Sequence, residues 1–224
     1  MKIVNHRLLN TDGTPVAFVR TPNQSGPITP RFLVIHFTAG RSLQSSVDWF
    51  SNPDAKASAH LVIGRDGAIV QTAGFNRKAW HAGKSSWNGI DGLNSCSIGI
   101  ELDNAGELRR GEAGGWTAWF GAKIDAADVV VARHRSDPES KPASGWHDYP
   151  EARLDALGEA VRALHARYRF EDVLGHDDIA PGRKRDPGPA FPMAQFKARL
   201  LGRVDDGAHE APADCETCGR PLPA

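Results

Sequence analysis

Phe32-Leu33-Val34-Ile35-His36 is the stretch on which the fold turns. It is an apolar run of strand length that ends on an imidazole and is broken by Thr38-Ala39-Gly40. Just downstream, Leu43, Val47 and Phe50 recur at helical spacing within residues 42–51, and Asn52-Pro53 stops that helix. His60-Leu61-Val62-Ile63 and Ala68-Ile69-Val70-Gln71 then flank Gly64-Arg65-Asp66-Gly67, the pattern of a β-hairpin with a glycine-rich turn. Ser97-Ile98-Gly99-Ile100-Glu101-Leu102 alternates, so Ile98, Ile100 and Leu102 share one face and Gly99, Glu101 and Asp103 the other. Upstream, residues 1–31 read as an extended lead-in with a short strand at 16–19.

Farther out, Asp148-Tyr149-Pro150-Glu151 opens the clearest helix, with Asp148 as the expected cap and Pro150 in the first turn. Leu154, Leu157, Val161, Leu164 and Tyr168 give it one apolar stripe. Val173-Leu174 leads to Gly175-His176, and a second helix is expected from Pro192 to about Leu201. Strands alternating with helices predict an α/β domain with a mixed central β-sheet flanked by helices.

The chain has 224 residues, room for one sizeable domain with appendages. Residues 1–202 are read as that domain, and 203–224, polar and proline-rich, as a mobile tail. Residues 104–147 are the least regular stretch and read as an excursion from the core, with one strand at 128–133. Lys and Arg total 27 and Asp and Glu 27, so no basic surplus exists to neutralise phosphates, and nucleic acid is not an expected partner. There is no apolar run of 18 residues, so no membrane span is expected. Residues 1–7 are not followed by an apolar stretch of signal-peptide length, and the 3 cysteines cannot build a disulfide framework. A cytoplasmic location is the expectation. Cys215 and Cys218 form a lone CxxC, half of a structural zinc site at most.

Three strand-like segments end in residues of catalytic type: His36, Glu101 and His176. A sheet that delivers such groups to one edge builds a site there. After His176 comes Asp177-Asp178-Ile179-Ala180-Pro181-Gly182-Arg183-Lys184-Arg185-Asp186-Pro187-Gly188-Pro189, a rigid loop carrying an ammonium and several carboxylates.

Val34-Ile35-His36-Phe37-Thr38-Ala39-Gly40, the hairpin beginning Ser58-Ala59-His60, Ala79-Trp80-His81-Ala82-Gly83, the Glu101 strand and the His176 loop occur in one order between about residues 30 and 200. Together they resemble the zinc-dependent N-acetylmuramoyl-L-alanine amidases of the AmpD type, the amidase-2 family, related to phage lysozyme-amidases and peptidoglycan recognition proteins. The resemblance implies an amidase-2, peptidoglycan-recognition-like single domain. It implies that His36, His176 and Asp186 bind one catalytic Zn²⁺, and that Glu101 and Lys184 act in catalysis. Two imidazoles and a carboxylate suit a catalytic zinc site, which keeps three protein ligands and an open position. The implied reaction is hydrolysis of the amide between the lactyl group of N-acetylmuramic acid and L-alanine. The implied partner is peptidoglycan or an anhydromuropeptide, either in recycling or as an endolysin released onto the wall.

Asp177 and Asp178 are rivals of Asp186 for the third ligand position. His60 and His81 are candidates for hydrogen bonding near the site and for lining the substrate groove; Trp87 and Asn104 are further groove candidates. Trp116, Trp119, Phe120 and Trp146 read either as a small cluster pinning the 104–147 excursion or as a wall of the groove. Two rival functions have the same fold or metal site: a peptidoglycan-binding protein without catalysis, and a zinc hydrolase of another amide.

Overall fold

In the computed structural model of the chain, residues 1–111 and 114–201 are described; the 203–224 tail and Cys215 and Cys218 lie outside them. The apolar run forms the strand Phe32–Phe37, and the alternating segment forms Ser97–Leu102 beside it, in parallel. They belong to a six-stranded mixed sheet. Its order is Asp172–Gly175, Phe32–Phe37, Ser97–Leu102, Leu61–Ile63, Ile69–Gln71 and Ala17–Phe18. The first four strands run parallel. The hairpin reverses direction at Ile69–Gln71, and Ala17–Phe18 follows that reversed sense.

Strand alternation sorts the side chains between two faces. Leu33, Ile35, Ile98, Ile100 and Leu102 turn one way and pack with Leu157, Ala160, Val161 and Leu164 of the helix Glu151–Tyr168. This is the apolar stripe read from the sequence, and it makes the main core. Phe32 and Val34 turn the other way, onto Ala82, Leu93, Leu174 and Ile179. The helix Leu43–Ser51 lays Val47 and Phe50 against Val62 and Ala59. Ser42 caps it, accepting from the Ser45 amide at 3.1 Å. His36, Gly99 and Glu101, by alternation, share the face opposite the long helix.

Two local expectations are corrected. Asp148 does not cap the long helix: Pro150 occupies the N-cap position without a side-chain cap, and the Asp148 carboxylate accepts instead from the Tyr149 amide at 2.8 Å. The helix starts two residues too late for Asp148 to be its cap. The excursion is also more regular than its composition suggests. It forms a five-stranded antiparallel sheet from Glu107–Arg110, Trp116–Thr117, Lys123–Ile124, Val129–Ala132 and Ser144–His147. Two of these strands have only two residues each, too short for alternation to show in sequence. Its own cluster joins Ala105, Leu108 and Ala118 with Trp116 and Phe120.

Candidate metal centre

His36 lies one residue from the end of its strand, and Glu101 sits beside it in register on the neighbouring parallel strand. His176 follows directly on the strand Asp172–Gly175, as first residue of the short helix His176–Ile179. All three therefore stand at the carboxyl edge of the parallel strands, where open α/β sheets place their sites. The loop after the short helix returns Lys184 and Asp186 to the same edge. It is held there by a hydrogen bond from the Asp177 amide to the Asp186 carbonyl at 2.9 Å and from the Tyr149 hydroxyl to the Pro187 carbonyl at 2.8 Å.

Three ligand-type atoms converge. His36 Nδ1, His176 Nδ1 and Asp186 Oδ2 are each 2.9 Å from the other two. All three residues are buried. The donor set passes a chemical test of fit. His176 Nε2 donates to the Ala82 carbonyl at 3.0 Å, which leaves its Nδ1 lone pair turned to the centre. Burial, then the neighbouring His176, pushes His36 down to about 4, so its ring is neutral, the form that ligates. Burial works to raise Asp186, but the His176 and His36 rings outweigh it and hold the carboxyl below its usual range. Two bare imidazole nitrogens and a carboxylate facing one point can hold a divalent metal ion.

Glu101 is half-buried, but its Oε2 is shut off from solvent and has no hydrogen-bond partner. Burial, then the Asp186 charge, pushes it up to about 8, while Lys184 pulls it back. The group next to the centre is thus a carboxyl without a structural job, able to hold or release a proton near neutrality.

Glu101 lines a cleft of about 550 Å³ together with His81, His176, Lys184 and Asp186. The same cleft is walled by Trp49, Trp80, Trp119, Phe37 and Phe50 and lined by Thr38, Ser45, Ser46 and Ser58. Its lining has no charged residue other than Glu101, Lys184 and Asp186 at the metal end. Trp119 is 60% exposed yet fixed, because its indole N–H donates to the Ala39 carbonyl at 2.6 Å. The excursion therefore serves both readings given to its aromatics. Trp116 and Phe120 pack in its own cluster, Trp146 is buried, and Trp119 walls the cleft.

The other candidates separate. Asp177 and Asp178 turn away from the centre: Asp177 pairs with Arg135 at 2.7 Å and His134 at 3.1 Å, and Asp178 accepts from the Gly175 amide at 2.6 Å. His60 is fully buried, accepting from the Gly99 amide at 3.0 Å and donating to the Arg77 carbonyl at 2.8 Å. It ties strands together and does not line the cleft. Asn104 is corrected in the same way: its side chain donates to the carbonyls of His147 and Asp148 and accepts from the Gly106 amide, which closes the base of the excursion. Trp87 packs with Leu93 and Ile179 behind the centre, outside the cleft lining. His81 does reach the cleft, but its Nδ1 is 3.0 Å from His36 Nε2, so it stands behind a metal-site residue.

Sequence reasoning missed Trp49, Ser97 and an ionic brace. Arg185, between Lys184 and Asp186, makes a paired contact with Asp137 at 2.7 and 2.8 Å and reaches Glu107 at 3.2 Å. Lys141 adds a contact to Asp137 at 3.0 Å. The Arg185 hydrogen bonds hold the Asp137 carboxyl well below the usual range. Arg135 spans Asp177 and Asp178. The inserted sheet is thus strapped to the short helix that begins at His176 and to the loop that carries Lys184 and Asp186. No spacing rule connects residues 107, 137 and 185. We expect Arg185→Ala to free the insert before the core loosens. Limited proteolysis with mass mapping should show first cuts within 104–147 in the variant and resistance there in the wild type; equal cutting would show that the strap does not brace.

The N-acetylmuramoyl-L-alanine amidase family profile matches residues 25–189. The 1,6-anhydro-N-acetylmuramyl-L-alanine amidase AmpD of Citrobacter freundii is 34% identical over 145 residues, 64% of this chain and 57% of that protein. The N-acetylmuramoyl-L-alanine amidase AmiD of Escherichia coli K12 is 32% identical over 198 residues, 83% of this chain and 59% of that protein. The match therefore spans somewhat more than half the length of these relatives. A solved structure of E. coli AmiD, in complex with the substrate anhydro-N-acetylmuramic acid-L-Ala-D-gamma-Glu-L-Lys, superposes with a TM-score of 0.57 at 28% identity, covering 86% of this chain and 65% of that one. The matched residues 25–189 hold the whole cluster, from His36 to Asp186, and on this ground the chain belongs to the N-acetylmuramoyl-L-alanine amidase family.

Proposed function

We propose that this chain is a zinc-dependent amidase that hydrolyses the bond between the lactyl group of N-acetylmuramic acid and L-alanine in peptidoglycan or muropeptides. The observation that carries the reading is the triangle of His36 Nδ1, His176 Nδ1 and Asp186 Oδ2, with the unpartnered Glu101 carboxyl beside it. His36, His176 and Asp186 would hold the ion. When bound, zinc supplies Lewis-acid polarisation and an acidified water, lowering a pKa of 15.7 toward about 7.

The chain's own groups do the rest. Glu101 takes the proton from the attacking water and delivers it to the departing L-alanine amine. With a divalent ion held by His36, His176 and Asp186, Glu101 would be favoured in its carboxylate form, against the effect of burial. Lys184 offers an ammonium to the oxyanion that forms on the lactyl carbonyl; such a donor contributes about 10²–10³ in rate. The aromatic faces and hydroxyl side chains of the cleft suit a sugar ring. We read residues 1–202 as one catalytic domain. The insert belongs to it because its ion pairs run to the catalytic loop. No helix among the described residues is long and apolar enough to cross a membrane.

The test is amide cleavage under metal control. Purified protein is incubated with sacculi and, separately, with a soluble anhydromuramoyl-peptide, with and without chelator and added zinc. Mass spectrometry should find stem peptides with a free L-alanine amine, released only with zinc. Preference for the soluble substrate assigns a recycling role; preference for sacculi assigns a wall-lytic one. No release by zinc-loaded, folded protein would overturn the reading.

A further inference from the structure

We propose that His81 is a positioning residue that fixes which nitrogen His36 turns to the metal, through a hydrogen-bond chain whose direction is set at a backbone carbonyl. The chain is read from its far end. Ser97 Oγ lies 2.6 Å from the Leu93 carbonyl oxygen. Two oxygens at that distance need a hydrogen between them, and a carbonyl can only accept, so the serine hydroxyl donates. Ser97 Oγ is then free to accept from His81 Nε2, 3.2 Å away. An imidazole with one proton, placed on Nε2, has a bare Nδ1. That Nδ1 faces His36 Nε2 at 3.0 Å, so His36 carries its proton on Nε2 and donates. Its Nδ1 is left as a lone pair, turned to His176 Nδ1 and Asp186 Oδ2. Each link dictates the next, and the last dictates the ligating tautomer.

Two further features hold His81 in this task. Its backbone N–H and that of Ala82 both donate to Asn94 Oδ1, at 3.0 and 2.7 Å, which pins the loop. The ring lies over Gly99, where any Cβ would overlap it. The backbone of Gly99 lies outside the left-handed region, so the glycine serves space and not conformation. His176 needs no such chain, because its Nε2 donates directly to the Ala82 carbonyl. The two histidines of the centre are thus oriented by different devices, one by a carbonyl directly and one through two side chains.

This inference rests on the zinc reading; a wild-type protein that retained no zinc would sink that reading, whereas the measurements below concern a zinc-binding protein and involve no substrate. In the zinc-loaded full chain with ¹⁵N-labelled histidine, long-range ¹H–¹⁵N correlation should show His81 protonated on Nε2 and bare on Nδ1. Ser97→Ala frees His81 to adopt the other tautomer and should weaken zinc binding, measured by chelator competition, by about 10-fold or more. Ser97→Thr, which keeps a hydroxyl, should restore it. Gly99→Ala, which pushes the ring aside, should weaken it as well. A correctly folded Ser97→Ala variant that binds zinc as tightly as the wild type, or a His81 ring protonated on Nδ1, would overturn the proposal.

Discussion

Glu101→Gln is expected to lower kcat by about 10²–10⁴ while leaving zinc content unchanged. The substitution keeps shape and volume and removes only the ability to accept a proton. Glu101 makes no hydrogen bond through Oε2 in the folded chain, so no structural partner is lost with it. Its role in stability runs opposite to that of an ion-paired carboxylate. Burial raises its folded pKa from 4.5 to about 8, so between those values the metal-free folded state binds a proton that the unfolded state has lost. Stability from this group is full below the unfolded value and falls as pH rises through the folded one. Metal-free Glu101→Gln should therefore outlast metal-free wild type in thermal unfolding at pH 8 and match it near pH 4. Activity of zinc-loaded protein on a soluble muropeptide, with metal analysis of the same sample, checks the catalytic half. A variant within 10-fold of wild-type kcat would remove Glu101 from the role of base.

How much of this was legible beforehand differs by the kind of signal. Residues 97–102 announce their faces because a half-buried strand repeats every two residues. Ile98, Ile100 and Leu102 accordingly lie in the main core, and Glu101 lies at the cleft. The stripe from Leu154 to Tyr168 was readable for the same reason at helical period. His36, His176 and Asp186 were singled out as a set only through the family resemblance; parallel strand register brings His36 and the strand before His176 together, and the loop after the short helix returns Asp186 to them, which no spacing in the chain encodes. The inserted sheet escaped because two-residue strands carry no period and its strap joins residues far apart in sequence. Asn104 and His60 drew attention as polar residues near motifs, yet their side chains satisfy buried backbone groups, a demand invisible until the fold is known. Ser97 shows the converse. It looks like an ordinary strand serine, and only its position between Leu93 and His81 gives it consequence.

His176→Ala should abolish zinc retention and reduce amide hydrolysis by at least about 10⁴. Three protein ligands leave a catalytic zinc one open position, and with two ligands the ion loses both affinity and geometry. The rate loss is large because nucleophile generation and carbonyl polarisation disappear together; one oxyanion donor alone contributes about 10²–10³. His176 is the cleaner choice for this test. Removing His36 would leave His81 without its partner, and Asp186 lies in the loop pinned by Tyr149 and by the Asp177 amide. Removing the His176 ring takes one donor from the Ala82 carbonyl, which still accepts from Arg183 at 2.8 Å. The backbone around the centre therefore keeps its partners, and a loss of activity can be assigned to the metal. Metal analysis after dialysis and turnover on a soluble muropeptide check it, with circular dichroism to establish folding. Folded His176→Ala that retained stoichiometric zinc would mean the ion is held elsewhere. Zinc lost with hydrolysis intact would mean that the reaction runs on Glu101 and Lys184 without it. Together the two variants divide the site: Glu101→Gln silences chemistry over a loaded centre, and His176→Ala empties the centre beneath an intact base. A protein that only binds wall fragments would show neither loss of turnover, because it would have none to lose.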